Sequence, residues 1–218
     1  LSVFSDDAQR VFPRDGHAPI DLVPFSLDEN LRSTREIAQV FGSYSPAILK
    51  PRGMHGAPVR LVEAATVDGI GSSDRDARTI ASQDVLDAAD SAVEALIDEG
   101  WEPGHIALLA TGSRHGEQIN QVELLGYDGY WDSHFREEDV FYGHVLGFKG
   151  LERRVVVLAV NGIRDTERAQ RMLYTGMSRA RTLLVVVGPR AYLERVGGEG
   201  VRKRLREAEQ WTLTPDES

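Results

Sequence analysis

FKGLERRVVVLAVNGIRDTERAQRMLYTGMSRARTLLVVVG, running from Phe148 to Gly188, decides the fold. Inside it, Val155–Val160 and Leu183–Val187 are unbroken apolar runs rich in β-branched residues. That composition suits strands buried on both faces of a parallel sheet. Between them Leu173, Met177 and Ala180 recur at helical spacing. Strand, helix, strand is a βαβ unit, and ligands of such sheets gather at the carboxyl ends of the strands. Lys149-Gly150-Leu151-Glu152 precede the first run, and Arg179 and Arg181 stand near the end of the helical stretch. Basic groups and a glycine at one edge of a sheet suit a phosphate-bearing ligand.

Working outward from this unit, strands are expected at Val140–Leu146, Ile106–Ala110, Val59–Ala64 and Ile20–Phe25, with a short strand-like piece at Leu1–Phe4. Helices are expected at Val85–Ile97, stopped by Gly100, and from Gly116 to Leu125, stopped by Gly126. Another should follow Ser33 or Thr34, either of which can cap it, with Glu36 placed for a capping box. Pro51–Pro58 and the Gly/Ser/Asp-rich Asp68–Asp76 read as surface loops. Tyr127–Phe135 reads as an irregular aromatic stretch, which either stacks bases or folds back onto the domain. After Gly188, a short helix to Val196, a break at Gly197–Gly200 and a charged helix over Val201–Trp211 are expected, with Arg202–Arg204 as a solvated face. Strands alternating with helices give an α/β fold with a mostly parallel sheet and helices on both faces.

Composition narrows the function classes. The 218 residues can bury one α/β core, and they carry 34 acidic against 25 basic side chains, a formal charge of −9. A free-standing nucleic-acid binder is more often basic, so contact with nucleic acid would need a local patch or a partner domain. No apolar run is long enough to span a bilayer. The absence of cysteine removes disulfides and thiolate metal sites, and fits a cytoplasmic location. No histidine pair has metal-ligand spacing, so no metal site is expected. Because the chain opens on Leu1 within an apolar run, it reads as a portion of something longer.

Four stretches, in order, then carry a resemblance. Ser5-Asp-Asp-Ala-Gln-Arg-Val-Phe12, Leu27-Asp-Glu-Asn-Leu-Arg-Ser-Thr34, Phe148-Lys-Gly-Leu-Glu152 and Leu173-Tyr-Thr-Gly-Met-Ser-Arg-Ala-Arg181 resemble motifs III, IV, V and VI of superfamily 1 helicases of the UvrD/PcrA/Rep kind. The resemblance implies the second RecA-like lobe of an ATP-dependent DNA helicase or translocase over residues 17–192. The last strand of the first lobe would occupy residues 1–16 and a helical tail residues 193–218.

By the same resemblance, Arg32 and Arg179 would converge on a cleft and neutralise charge on the γ-phosphoryl group of ATP. Gln9 would sense that phosphate or orient water. Glu152 would accept from the ribose, with Lys149 and Gly150 beside it. Arg181 would be a second phosphate contact or a helix-end partner for an acid. His144 stands where the family usually has a threonine that touches nucleic acid. No G-x-x-x-x-G-K-[ST] occurs, so ATP and magnesium would be held mainly by an N-terminal RecA-like partner lobe, and this chain alone would be inactive. Single-stranded DNA is the expected polymer, RNA not being excluded, and no membrane partner is expected. The alternative is a non-catalytic RecA-like module that binds nucleic acid or a protein. A small-molecule kinase would need its own P-loop, which this sequence does not contain.

Overall fold

The computed structural model describes residue 9 and residues 27–45, 49–162 and 166–213. The strands expected at Leu1–Phe4 and Ile20–Phe25 lie outside them, as does the motif III stretch apart from Gln9. At the centre β6 (Arg153–Ala159) pairs in parallel with β7 (Ala180–Val187), in the register Val155 opposite Leu183 through Ala159 opposite Val187. β4 (Ile106–Ala110) pairs with the other side of β6, and β5 (Phe141–His144) lies beyond it. On the far side of β7 come β3 (Arg60–Val62) and then β8 (Glu209–Gln210). The order is β5-β4-β6-β7-β3-β8 and every pairing is parallel. A separate two-stranded parallel ladder joins β1 (Glu29–Asn30) to β2 (Lys50–Pro51).

The apolar runs are unbroken because both faces are covered. Every residue of β4 is buried, as are Val155–Val160 and Leu183–Val187. Each Val, Leu or Ile side chain among them contributes about 1.5–3 kcal/mol on leaving water. α3 (Arg75–Asp98) packs on β4, β6 and β7 from one side, with the short α2 (Val67–Ile70) against it. α5 (Thr166–Met177) covers β6 and β7 from the other side, grouped with α1 (Arg35–Gly42) and α6 (Arg190–Leu205). α5 faces inward through Ala169, Met172, Leu173 and Met177, a helical stripe. Gly176 is part of this contact, since a Cβ there would stand 2.7 Å from Leu158.

Three expectations change. α3 begins at Arg75, ten residues before the expected start, capped by the Asp74 carboxylate, which accepts from the Asp76 N–H at 2.9 Å. Its first turns are polar because they meet solvent, so the apolar pattern alone does not reveal them. Tyr127–Phe135 is helical, and belongs to α4 (Gly116–Arg136), a helix broken at Gly126, where φ is +69°. Past that break, Tyr130 and His134 fall one turn apart and seat their rings on Phe141. The terminal helix stops at Leu205, and Glu209–Gln210 continue as an edge strand, where the Glu209 and Trp211 N–H groups donate to the Val59 and Leu61 carbonyls, with the Trp211 ring under the Arg60 guanidinium at 4.5 Å.

Candidate functional site

The charged cluster forms at the amino ends of β6 and β7, not at the carboxyl ends where the βαβ rule puts ligands. The loop carrying Arg32 is bolted to the start of β7. Ser33 is buried and its hydroxyl donates to the Ala180 carbonyl at 2.8 Å, while the Thr34 N–H donates to the Arg181 carbonyl at 3.1 Å. Gly53 closes over this loop so tightly that a Cβ would lie 2.0 Å from the Ser33 carbonyl oxygen. The capping box therefore does not form. Thr34 holds the N-cap position without a side-chain bond, and Glu36 instead accepts from the Gly56 N–H and His55.

This docking sets Arg32 beside Glu152 and Arg181. Arg32 Nε is 3.1 Å from Glu152 Oε2, and Arg181 Nη1 is 3.3 Å from Glu152 Oε1. One carboxylate thus bridges two guanidinium groups, each about half exposed (51% and 53%). The turn before β6 completes the surface. Gly150 has φ +95°, a conformation that favours glycine, and a Cβ there would meet open space. Lys149 is exposed, and its Nζ donates to the Gln9 carbonyl at 3.1 Å.

Arg179 does not share that surface. It is 2% exposed, and its guanidinium donates to the carbonyls of Thr175 (3.0 Å) and Leu151 (3.3 Å) and to the Ser178 hydroxyl (2.8 Å). The expected convergence of Arg32 and Arg179 on an open cleft is thus not met. The reason is local: β7 starts at Ala180, so the side chain before it turns under the Leu151 backbone while Arg181 projects outward. Arg153, next to Glu152, is likewise buried. It donates to the Glu137 carboxylate and the His134 carbonyl, both at 2.7 Å. Burial lowers its pKa against the pull of Glu137.

His144 lies at the opposite end of the sheet. Its Nδ1 accepts from the Leu146 N–H (3.2 Å), so Nε2 carries the proton and donates to the Gly112 carbonyl (3.1 Å). Burial holds the imidazole below its usual range, against the hydrogen bond at Gly112, with the charges of Arg114 and Arg168 adding to the depression. The chain leaves β4 toward β5 and leaves β6 toward β7, so the loops after these neighbouring strands part in opposite directions. Asn161 stitches their bases together. Its Oδ1 accepts from the Gly112 N–H (2.7 Å), and its Nδ2 donates to Ser82 Oγ (3.1 Å) and the Ser113 carbonyl (2.9 Å). Sequence reading passed over both Asn161 and the docking role of Ser33. The available signals were an asparagine ending a buried strand and a serine beside a candidate arginine.

Chemically, the amino-end cluster can exchange its internal carboxylate for an anionic ligand, because exposed ion pairs of this kind hold by only about 0–1 kcal/mol. Among the described residues no group of three His, Asp or Glu side chains could hold a metal ion, and no helix is long and apolar enough to cross a membrane.

An α/β chain whose six-stranded parallel sheet is covered on both faces and carries paired arginines at its amino edge is the class defined by fold and site. Residues 144–187, which contain both the Phe148–Glu152 and Leu173–Arg181 stretches, match the family described as UvrD-like helicase C-terminal domain. Among solved structures, the chain is similar to the C-terminal domain of a possible DNA helicase from Lactobacillus plantarum WCFS1. The identity there is 18%, with 78% of this chain and 96% of that one covered and a TM-score of 0.42. No curated protein matches the chain.

Proposed function

We propose that the chain is the second motor lobe of an ATP-dependent superfamily 1 DNA helicase or translocase, residues 17–192 forming the RecA-like body. The observation that carries this reading is the Arg32–Glu152–Arg181 cluster, two of whose members lie in the segment matched by the helicase family. ATP and its magnesium would sit mainly on a neighbouring RecA-like lobe, and Arg32 and Arg181 would meet the terminal phosphates across the gap. Their forked donors suit phosphate oxygens, and Lys149 adds a point charge beside them.

Arg179 would be the arginine delivered by closure. To reach a phosphate it must leave the Leu151 carbonyl, which a shift of the 148–152 turn would allow, and rotate away from the Thr175 carbonyl and the Ser178 hydroxyl at the end of its own helix. Gln9, tied to Lys149 through its carbonyl, would ride on the same turn. Glu152, released from the arginines, would be free to accept from the ribose. At the other end of the sheet, single-stranded DNA would cross the loops around His144 and Arg114. His144 would contribute through its position on the backbone, since both ring nitrogens are already engaged.

The test is ATP turnover by the parent protein with single-stranded DNA. Arg179→Ala should remove at least about a thousandfold of turnover, the scale of a missing arginine finger, with ATP binding largely intact. Arg32→Ala and Arg181→Ala should weaken ATP binding as well. Turnover within a few-fold of wild type in Arg179→Ala removes that residue from the chemistry. A parent protein whose ATPase ignores single-stranded DNA favours the non-catalytic module.

A further inference from the structure

The kinked helix α4 carries a surface that the motor reading does not use. α3, with 24 residues, buries eight of them, whereas α4, with 21, buries only Gln118, Tyr130 and His134. Every residue from Glu123 to Asp128 is exposed. At this knuckle Leu124 is 83% and Tyr127 62% exposed, with Leu125 also open; Phe135, at 69%, follows Tyr127 by two helical turns. Ile119 adds a fifth exposed apolar side chain on the same helix. Half of the ten large apolar side chains exposed among the described residues therefore stand on one element. Large apolar side chains left in water and concentrated on one element in this way are what an interaction site presents.

Charge selects the partner. Residues 116–139 hold seven carboxylates against one arginine, a formal −6, and only Glu137 among them is taken up by the buried Arg153 described above, which leaves the stretch strongly acidic. On the second half of α4, Asp128 and Asp132 stand one helical turn apart, and Tyr127 and Phe135 two turns apart, so acids and aromatics run along the same stretch of helix. A phosphodiester backbone would be repelled here, which removes the reading of these aromatics as base-stacking platforms. A second copy of the chain would bring the same carboxylates face to face. We infer that the α4 knuckle docks a partner protein whose contacting segment is apolar and rimmed with lysine or arginine. Leu124, Leu125 and Tyr127 would be its central contacts, with Glu123, Asp128 and Asp132 at the rim, in the manner of an amphipathic helix laid on an apolar patch. The left-handed Gly126 fixes the knuckle, since a side chain at φ +69° would be strained.

The experiment uses the whole chain and a fluorescent peptide with leucines at helical i, i+3, i+4, i+7 spacing and lysines elsewhere. Saturable one-to-one binding is expected. It should weaken more than about tenfold both in the double variant Leu124→Ser, Tyr127→Ser and in Glu123→Lys, Asp128→Lys. The same peptide with glutamate in place of lysine should not bind. These positions are exposed, so circular dichroism should show both variants folded, and the two variants fail independently if either does not. Equal binding to wild type and variants, or equal binding of the two peptides, overturns the inference. So does a concentration-dependent dimer that the serine variant abolishes, which would make the occupant a second copy, or a loss of oligothymidine binding in that variant, which would make it nucleic acid.

Discussion

The two ends of this sheet handle polar groups in opposite ways. At the carboxyl ends of β4, β5 and β6, the side chains of Asn161 and His144 spend their hydrogen bonds on backbone groups of Gly112, Ser113 and Leu146. At the amino ends of β6 and β7, Arg32, Glu152 and Arg181 spend theirs on one another, half in water. The first arrangement fixes loops and resists change. The second costs little to open and leaves charge ready for exchange. The proposed motor lobe, which would answer a ligand on a neighbouring surface, calls for the second kind where the two surfaces would meet.

If the carboxyl end is built for rigidity, removing its stitch should be the most damaging change outside the proposed chemistry. Asn161 is 2% exposed, and Asn161→Ala strands the Gly112 N–H and frees the Ser113 carbonyl and the Ser82 hydroxyl. A loss of about 1–3 kcal/mol is expected in urea unfolding, the cost of one unsatisfied buried group, since the bond to Ser82 is buried and the bonds to Gly112 and Ser113 are partly so. A loss below about 1 kcal/mol would mean that the loops after β4 and β6 are held by something else, and the contrast between the ends would go with it.

Depth below the amino edge offers a second break. Glu152 is open, yet its neighbour Arg153 is buried with Glu137 and the carbonyl of His134. His134 itself packs edge-on against Phe148 and Phe141. Its pKa falls from 6.5 to about 4, through burial first and then the charge of Arg153, opposed by Glu137. A depressed folded-state value means the unfolded chain takes up the proton first. Stability is therefore fully present above pH 6.5 and is lost as the pH falls toward 4, by on the order of 3 kcal/mol. His144, also depressed, adds to the same acid limb. His134→Phe should flatten most of that limb while leaving the carbonyl bond to Arg153 in place. A limb of unchanged steepness would show that protons enter elsewhere.

The sheet was legible because burial on both faces writes itself into composition: Val155–Val160, Leu183–Val187 and Ile106–Ala110 each lie in or beside the strand expected of them. The hidden elements are those whose exposed faces dilute the pattern, such as the polar first turns of α3 and the helix beyond Gly126. The site was legible only as a set of residues. Arg32, Glu152 and Arg181 were each in view, but no spacing rule says that Arg181, rather than Arg179, faces outward with Arg32. That choice depends on where β7 begins relative to the Leu151 carbonyl, a matter of one residue in register. The choice between Ser33 and Thr34 as cap turns on a related point. A serine before a helix is a cap by sequence, and only the neighbouring Ala180 carbonyl turns it into a bolt.

Glu152→Gln gives the smallest change in stability and the sharpest test of what the amino edge is for. Both pairs are exposed, so unfolding should shift by no more than about 0.5 kcal/mol. The electrostatic consequence is larger, because one carboxylate currently offsets two guanidinium groups within 3.1 and 3.3 Å. With the amide in its place, inorganic tripolyphosphate should bind the isolated chain several-fold more tightly at low salt. The gain should fade as the Debye length shrinks to about 8 Å near physiological salt. Arg32→Ala and Arg181→Ala should each move affinity the other way. ATP separates the two tasks proposed for Glu152. If the carboxylate only restrains the arginines, ATP in the parent protein should gain as much as tripolyphosphate does. If it also accepts from the ribose, ATP should gain less or lose, while tripolyphosphate still gains. A Glu152→Gln chain with unaltered tripolyphosphate binding would mean the bridge is ornamental, and the two ends of the sheet would then differ only in how wet they are.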